Sequence, residues 1–369
     1  MDCASATHAD VRAWLRLTLV PGITLATQRA LLDEFGSVEA IFTVPYQELA
    51  TRAGEAIARL LAQGPNAALL QASLEWLARP GRHLLTFHDE RYPSLLREIS
   101  LPPMVLYAQG RIELLRNPAF AIVGSRNATR QGIEDAQAFA RELSDAGLTI
   151  VSGLALGIDA AAHRGGLSGA GSSIAVMGTG PDIFYPRRNA NLASELASEG
   201  CLLSEFPVGM PPLPGNFTRR NRLISGLSRG VLVVEAGRPS GSLSTAGYAA
   251  EQSRDVFAIP GSIHSSLSRG CHKLIRDGAK LTENAHDVLV ELGLAEPSAG
   301  LATEEIQPDV SDPVLAAMGF APATFDQLAQ RTGLDAATLA AQLARLEIEA
   351  SVAPLPGGRF QRIEKHVIE

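Results

Sequence analysis

Lysine is almost missing from this chain of 369 residues: Lys273, Lys280 and Lys365 stand among 32 basic residues, and the other 29 are arginines. Such a bias follows genome composition as readily as function, so it excludes little by itself. Cysteine is scarce as well. Cys3, Cys201 and Cys271 are far apart and form no C-x-x-C pair, which supports neither a disulfide framework nor a zinc site. No apolar run approaches the roughly 20 residues of a membrane helix. Met1–Asp10 is polar and lacks a signal-peptide core, so the expected location is the cytoplasm, without membrane attachment. The most informative absence is local. From Phe206 to Val234 there is no Asp or Glu, yet Arg219, Arg220, Arg222 and Arg229 lie there, in a protein of formal net charge -7.

Charge is divided unevenly. Residues 1–110 hold 9 basic and 11 acidic groups, residues 111–290 hold 18 and 16, and residues 291–369 hold 5 and 12. A polyanionic partner therefore belongs to the middle of the chain. That middle alternates short apolar runs with helical stretches. The runs are Ala121-Ile-Val, Leu148-Thr-Ile-Val, Ser173-Ile-Ala-Val, Cys201-Leu-Leu, Val231-Leu-Val-Val and Val256-Phe-Ala-Ile. Near-continuous apolar strands closed by Gly, Ser or Pro predict a doubly wound α/β domain with a mostly parallel sheet, over 111–294.

The flanks differ. Residues 1–110 read as helices, and Val20-Pro-Gly-Ile23 followed by Leu31–Gly36 resembles a helix-hairpin-helix or SAM-like bundle. This segment is acidic and has no basic patch, which favours a packing role over DNA contact. Residues 295–312 have the Pro, Gly, Ser and acid content of a linker. Within 313–369, three short helical patterns and a candidate hairpin, Val352–Ile363, fit a winged helix. Its candidate recognition helix, Asp335–Glu347, has one basic residue, Arg345, too few for a DNA-reading helix. Weak DNA binding or a protein partner is the expectation.

Strands of a doubly wound sheet deliver ligands at their carboxyl ends. The first end is Gly124-Ser125-Arg126, suited to an anion through backbone N–H groups, the following helix N-terminus and a guanidinium fork. The second, Ser152-Gly153, again leaves room near the backbone. Asp159 there is expected to cap a helix and His163 to make a local hydrogen bond. The third brings Tyr185 as a stacking surface, with Arg187, Arg188 and Asn189. The fourth leads into Phe217-Thr-Arg219-Arg220-Asn221-Arg222, an aromatic ring among three guanidinium groups and an amide. The fifth is a Gly/Ser loop, Ser240-Gly241-Ser242. Small residues, hydroxyls and arginines predominate, with no matched nucleophile and base, no Walker A lysine and no G-x-S-x-G elbow. The pattern suits holding a polyanion, with no catalytic residue, cofactor or metal expected.

These runs carry a family resemblance. Ala121-Ile-Val-Gly-Ser-Arg, Val151-Ser-Gly-Leu-Ala-x-Gly-Ile-Asp-Ala-x-Ala-His, Tyr185-Pro-x-x-Asn, Phe217-x-x-Arg-Asn-Arg, Ser240-Gly-Ser-Leu-x-Thr-Ala and Pro260-Gly-Ser resemble, in order, the DprA/Smf (DNA processing protein A) family. The resemblance implies an extended Rossmann domain that binds single-stranded DNA, protects it during natural transformation and loads RecA onto it. It further implies a homodimer, competition with single-strand-binding protein and no enzymatic turnover. Gly124, Ser125 and Arg126 map onto the family's phosphate-binding motif, Arg187 onto its basic residue after Tyr-Pro, and Phe217, Arg220, Asn221 and Arg222 onto its later motif. Where some family members place a Lys ahead of that motif, this chain has Pro214-Gly-Asn216, so that contact is either missing or replaced by Arg219. A rival reading is a nucleoside-monophosphate phosphoribohydrolase of the same superfamily, with Glu251 as carboxylate beside Ser240–Thr245.

Overall fold

The computed structural model describes residues 8–296, 312–319 and 322–363. Six helices come first: α1 (His8–Thr18), α2 (Leu25–Phe35), α3 (Val38–Thr43), α4 (Tyr46–Ala53), α5 (Glu55–Gln63) and α6 (Ala67–Leu77). Their starts are written in the sequence as side-chain caps. Thr24 accepts from the Thr27 N–H, Ser37 from Ala40, and Asn66 from Ala68 and Leu69. Gly36, Gly54 and Gly64 close α2, α4 and α5.

The unbroken run of helices ends at Leu77, which corrects the all-helical reading of 1–110. Strand β1 (Arg82–Thr86), the short helix α7 (Ser94–Arg97) and strand β2 (Val105–Gly110) follow. The two strands pair antiparallel, and β2 pairs antiparallel with β6 (Cys201–Ser204). The main sheet thus begins near residue 82. One apolar core joins Trp14, Leu15, Leu31, Ile41, Leu61 and Trp76 of the helices to Leu84, Val105 and Tyr107 of the two strands. The helical module is consequently fixed to one edge of the sheet.

The expected strand–helix alternation follows. It runs β3 (Ala119–Val123), α8 (Arg130–Asp145), β4 (Thr149–Ser152), α9 (Ile158–Ser168), β5 (Ser173–Val176), α10 (Ala190–Glu199), then β6. It continues with α11 (Pro214–Gly226), β7 (Gly230–Val233), α12 (Gly241–Glu251), β8 (Asp255–Ala258), α13 (Arg269–Arg276), β9 (Lys280–Leu281) and α14 (Ala285–Glu291). Strand order is β1-β2-β6-β5-β4-β3-β7-β8-β9, and pairing is parallel from β6 to β9. Side chains alternate across it. Ala121, Val123, Val151, Val231 and Val233 face α11 and α12, whereas Phe120, Ile122, Ile150 and Leu232 face α8, α9 and α14. Both faces are covered, which is why each strand reads as a continuous apolar run.

The carboxyl-terminal unit has α15 (Pro313–Met318), β10 (Ala323–Thr324), α16 (Phe325–Thr332), α17 (Ala336–Ile348), β11 (Val352–Leu355) and β12 (Arg359–Arg362). Its sheet runs β10-β12-β11 over a core of Val314, Leu328, Leu339, Leu343 and Val352. This is the winged-helix order. Of the expected linker, residues 297–311 lie outside the described residues.

Candidate functional site

The chain turns left from β3 into β4 and later returns to lay β7 on the other side of β3. Loops leaving β3 and β7 therefore diverge and open a crevice at the strands' carboxyl ends. A groove of about 580 Å³ lies there, lined by Gly124, Ser125, Arg126, Tyr185, Phe217, Arg220, Asn221 and Ser240–Ser242. Ser152, Gly153, Arg187, Arg188, Asn189, Arg219 and Arg222 are not in its lining.

The floor is set by two tied-down loops. Ser125 Oγ accepts from the Asn127 N–H at 3.1 Å, and the Ser125 carbonyl accepts from the Ile158 N–H at 3.2 Å. Ser152 is buried, its hydroxyl donating to the Ile122 carbonyl at 2.7 Å. Asp159 does not cap α9. Its Oδ2 accepts from the Gly153 and Ala155 N–H groups at 3.2 and 3.3 Å and so holds the loop ahead of the helix. Asn189 is buried too, donating to the Leu154 and Ala155 carbonyls of the same loop at 2.9 and 3.0 Å. His163 makes the expected local bonds: Nε2 accepts from the Leu154 N–H at 3.2 Å, and Nδ1 lies 2.8 Å from the Ser173 hydroxyl. That hydroxyl donates to the Ile150 carbonyl at 2.8 Å, so Nδ1 carries the imidazole proton. Burial pushes the His163 pKa down to about 3.

The open wall is α11. Phe217 stands 5.5 Å from the Tyr185 ring with a tilt of 42°, and the Arg126 guanidinium lies 6.0 Å from the Phe217 ring centre. Tyr185 is 45% exposed and Arg126 is exposed, so this corner offers rings and charge to solvent. Arg187 and Arg188 are exposed one and two residues beyond Pro186, at the rim.

Four sequence assignments need correction. Arg220, expected to clamp a phosphate, is 4% exposed. Its Nη1 donates to the Gly153 carbonyl at 2.7 Å and to the Val176 carbonyl, binding α11 to the ends of β4 and β5. Gly153 is required here, because a Cβ would sit 2.6 Å from the guanidinium carbon. Burial lowers the Arg220 pKa to about 10 and raises the Asp159 carboxyl, and the attraction between the two groups opposes both shifts. Arg222, the second expected clamp, is 8% exposed and donates to Glu205 Oε2 at 2.6 Å. Arg219, the expected substitute for a lysine, donates to the same oxygen at 3.0 Å. Both turn to the face of α11 away from the groove. Asn221 does reach the groove side, donating to the Gly241 carbonyl at 3.2 Å.

The fourth correction concerns the anion site. The N-terminus of α8 is already filled by the side chain of Glu235, which follows β7. Glu235 accepts from the Thr129 N–H at 2.9 Å and from its hydroxyl at 2.6 Å. Gly132 makes room, since a Cβ would lie 2.6 Å from the carboxyl carbon. Burial, the largest cause, raises the Glu235 pKa. The open helix end is instead that of α12, where Ser240 caps Ser242 and no acidic residue occupies the first turn. Glu205 and Glu235 were the functional residues missed. The signal was available: each is an acid within two residues of a strand's end, one ahead of the arginine cluster and one bonded to Thr129 beyond the Gly-Ser-Arg loop. Glu251 sits at the far end of α12, about 16 Å from Ser240 at 1.5 Å per residue, and lines a different cavity. The geometry removes it from the rival reading.

The described residues thus form a doubly wound α/β protein with a ligand groove at the topological switch point, joined to a helical module and a winged helix. The chain belongs to the DNA recombination-mediator protein A family, whose model matches residues 83–293, and a DprA winged helix domain matches residues 296–358. Protein Smf of Escherichia coli is 41% identical over 298 residues, 78% of this chain and 80% of that protein. Protein Smf of Synechocystis is 35% identical and covers 96% of this chain and 99% of its own length. The X-ray structure of DNA processing protein A from Streptococcus pneumoniae superposes with a TM-score of 0.67 at 37% identity, over 78% of this chain and 99% of that one. DNA processing protein A of Helicobacter pylori, described for its single-stranded DNA binding mode, gives a TM-score of 0.53 at 32% identity, over 57% of this chain and 95% of that one.

The buried neutral His163 makes a pH prediction. Unfolded, its imidazole takes a proton near pH 6.5; folded, it does so near pH 3. The unfolded state therefore binds more protons within that window, so stability is full above it and falls as pH drops. The expected loss from this group is about 1.4 kcal/mol per pH unit. In His163→Gln the urea midpoint should fall less between pH 7 and pH 4.5 than in the wild type. An equal fall in both would remove His163 as a cause.

Proposed function

We propose that this protein binds single-stranded DNA in the groove, protects incoming strands during natural transformation and loads RecA onto them. One observation carries the reading: the tilted Tyr185–Phe217 ring pair sits beside exposed Arg126 and the open N-terminus of α12. Rings accept bases of any sequence, while guanidinium groups and helix N–H groups hold the backbone. Gly124, Ser125, Arg126, Tyr185, Phe217 and Ser240–Ser242 are the contact residues, with Arg187 and Arg188 continuing the path at the rim. Ser152, Gly153, Asn189, Arg220 and Asn221 shape the floor and wall, and Arg219 and Arg222 brace α11 from behind. The site holds a ligand without turning it over. The Helicobacter pylori relative's single-stranded DNA binding mode and the recombination-mediator family support the substrate and the RecA step. A cytoplasmic homodimer that limits single-strand-binding protein completes the reading.

The winged helix serves a protein partner in this scheme. Arg345, the basic residue of α17, is paired with Asp312 and, at 2.9 Å, with Glu349. Little charge remains on that helix for a phosphate.

Oligo-dT titrations across a salt series test the assignment. Arg126→Ala should lower affinity and flatten the slope of log K against log salt by about 0.7, one phosphate contact on a single strand. Phe217→Ala should cost about 1–3 kcal/mol of binding. Arg222→Ala should leave the slope unchanged and instead destabilise the fold, because buried Glu205 then keeps only the half-exposed Arg219 as its partner. Unchanged affinity and slope in Arg126→Ala would place the DNA elsewhere.

A second titration concerns Glu235. Replacing it by Gln keeps its shape at the end of α8 and removes a negative charge behind the Gly124–Thr129 loop. Oligo-dT should then bind about twofold to fivefold more tightly, from about 0.3–1 kcal/mol at a helix terminus. Equal or weaker binding with an unaltered melting temperature counts against a repulsive role for Glu235.

A further inference from the structure

A cavity lies on either side of α11. The larger, about 1100 Å³, is on the side of Asn216, Arg219 and Arg222. Its unpartnered polar atoms, among them Asn216 Nδ2, Arg222 Nη1 and Glu205 Oε1, are sealed from solvent and cannot meet an occupant. The groove differs in this respect. Asp159, Arg220 and Asn221 line it while only 6%, 4% and 8% exposed, and each keeps an open polar atom without a partner in the protein.

The bonds already made identify those atoms. Asp159 Oδ2 accepts from the Gly153 and Ala155 N–H groups, which leaves Oδ1. Arg220 Nη1 donates to the Gly153 and Val176 carbonyls, which leaves Nη2. Asn221 Nδ2 donates to the Gly241 carbonyl, which leaves Oδ1. None of the three is among the sealed unpartnered atoms of the described residues. The floor of the groove therefore offers two acceptors, one of them a carboxylate oxygen, and one donor.

That mixture suits a base and not a phosphate. A phosphate presents oxygens only, and the Asp159 carboxylate repels it, so phosphates keep to Arg126 and the start of α12. A nucleobase edge presents N–H groups as well as acceptors. The exocyclic amino groups of cytosine, adenine and guanine project freely from their rings, and a carboxylate accepting from the cytosine amino group is a recurrent pairing. Thymine has a single N–H, set between two carbonyl oxygens that repel a carboxylate. A nearly buried carboxylate oxygen without a partner gains most from such a donor.

We propose that Asp159 Oδ1 accepts from the amino group of a base turned into the groove, so that the site prefers a strand of amino-bearing bases to one without them. Asp159 is then a specificity-determining residue, a role that rests on the reading of the groove as a single-strand site.

Titrations of the full chain at neutral pH test it. Oligo-dC is compared with an oligomer of the same length whose bases are 2-pyrimidinone, which is cytosine without its amino group. The wild type should bind oligo-dC more tightly by about fivefold or more. Asp159→Asn keeps the loop bonds through its oxygen and turns an amide NH2 to the groove, so the ratio should fall below about twofold. Arg126→Ala should weaken both oligomers and keep the ratio, and Asn221→Ala should keep the ratio as well. Equal binding of the two oligomers by the wild type overturns the proposal without recourse to any variant. So does an undiminished ratio in Asp159→Asn, or a ratio that collapses in Asn221→Ala or Arg126→Ala. Failure of the wild type to bind either oligomer is a different result, which removes the single-strand reading of the groove and the proposal with it.

Discussion

A single buried guanidinium organises this molecule. Arg220 reaches from α11 to the carbonyls of Gly153 and Val176, where β4 and β5 end. Backbone carbonyls at strand ends have no partner in the sheet, and burial would leave them costly. Arg220 satisfies two of them with one nitrogen and draws α11 across the sheet's carboxyl edge. Its own charge is offset by nearby Asp159, which in turn holds the Gly153 and Ala155 N–H groups. Removing any member exposes the others, so the loop after β4, the position of α11 and the depth of the groove form one unit.

With α11 so placed, its helical period sorts the arginine cluster. Phe217, Arg220 and Asn221 face the sheet and groove, while Asn216, Arg219 and Arg222 face the second cavity. Glu205 anchors that second face as a carboxylate shared by two guanidinium groups. The helix is therefore pinned on both sides by buried polar bonds. A wall fixed in this way can present an aromatic ring at a constant height above the floor, which a base-stacking surface needs. A similar division applies to the helix ends. Glu235 satisfies the start of α8 internally and leaves α12 as the end available to a ligand.

Much of this was readable in the residues, and the exceptions have physical causes. The parallel strands were evident because both of their faces are buried, and the winged helix because its helices carry caps such as Asp312, Thr324 and Asp335. Strands β1 and β2 escaped notice because they pair with each other across a long intervening segment and with β6, some 90 residues later. No local pattern records such a partner. Within the site, Gly124–Arg126, Tyr185, Phe217 and Ser240–Ser242 line one groove. Arg220 and Arg222 are buried instead, because a run of arginines on a helix distributes over its whole circumference, and charge alone does not say which side is buried.

That distribution also explains how an acidic protein keeps a basic groove. In the segment from Phe206 to Val234, the acid-free stretch is answered by acids just outside it: Glu205 before and, across the fold, Asp159. These neutralise the arginines that must be buried. Arg126, Arg187 and Arg188 are left exposed near the rings. These two acids thus stand where charge has to be cancelled, and the groove's positive character rests on a few exposed guanidinium groups and one open helix end. In the proposed reading, a strand that meets so little charge draws the rest of its affinity from stacking, which favours a flexible single strand over a duplex whose bases are already stacked.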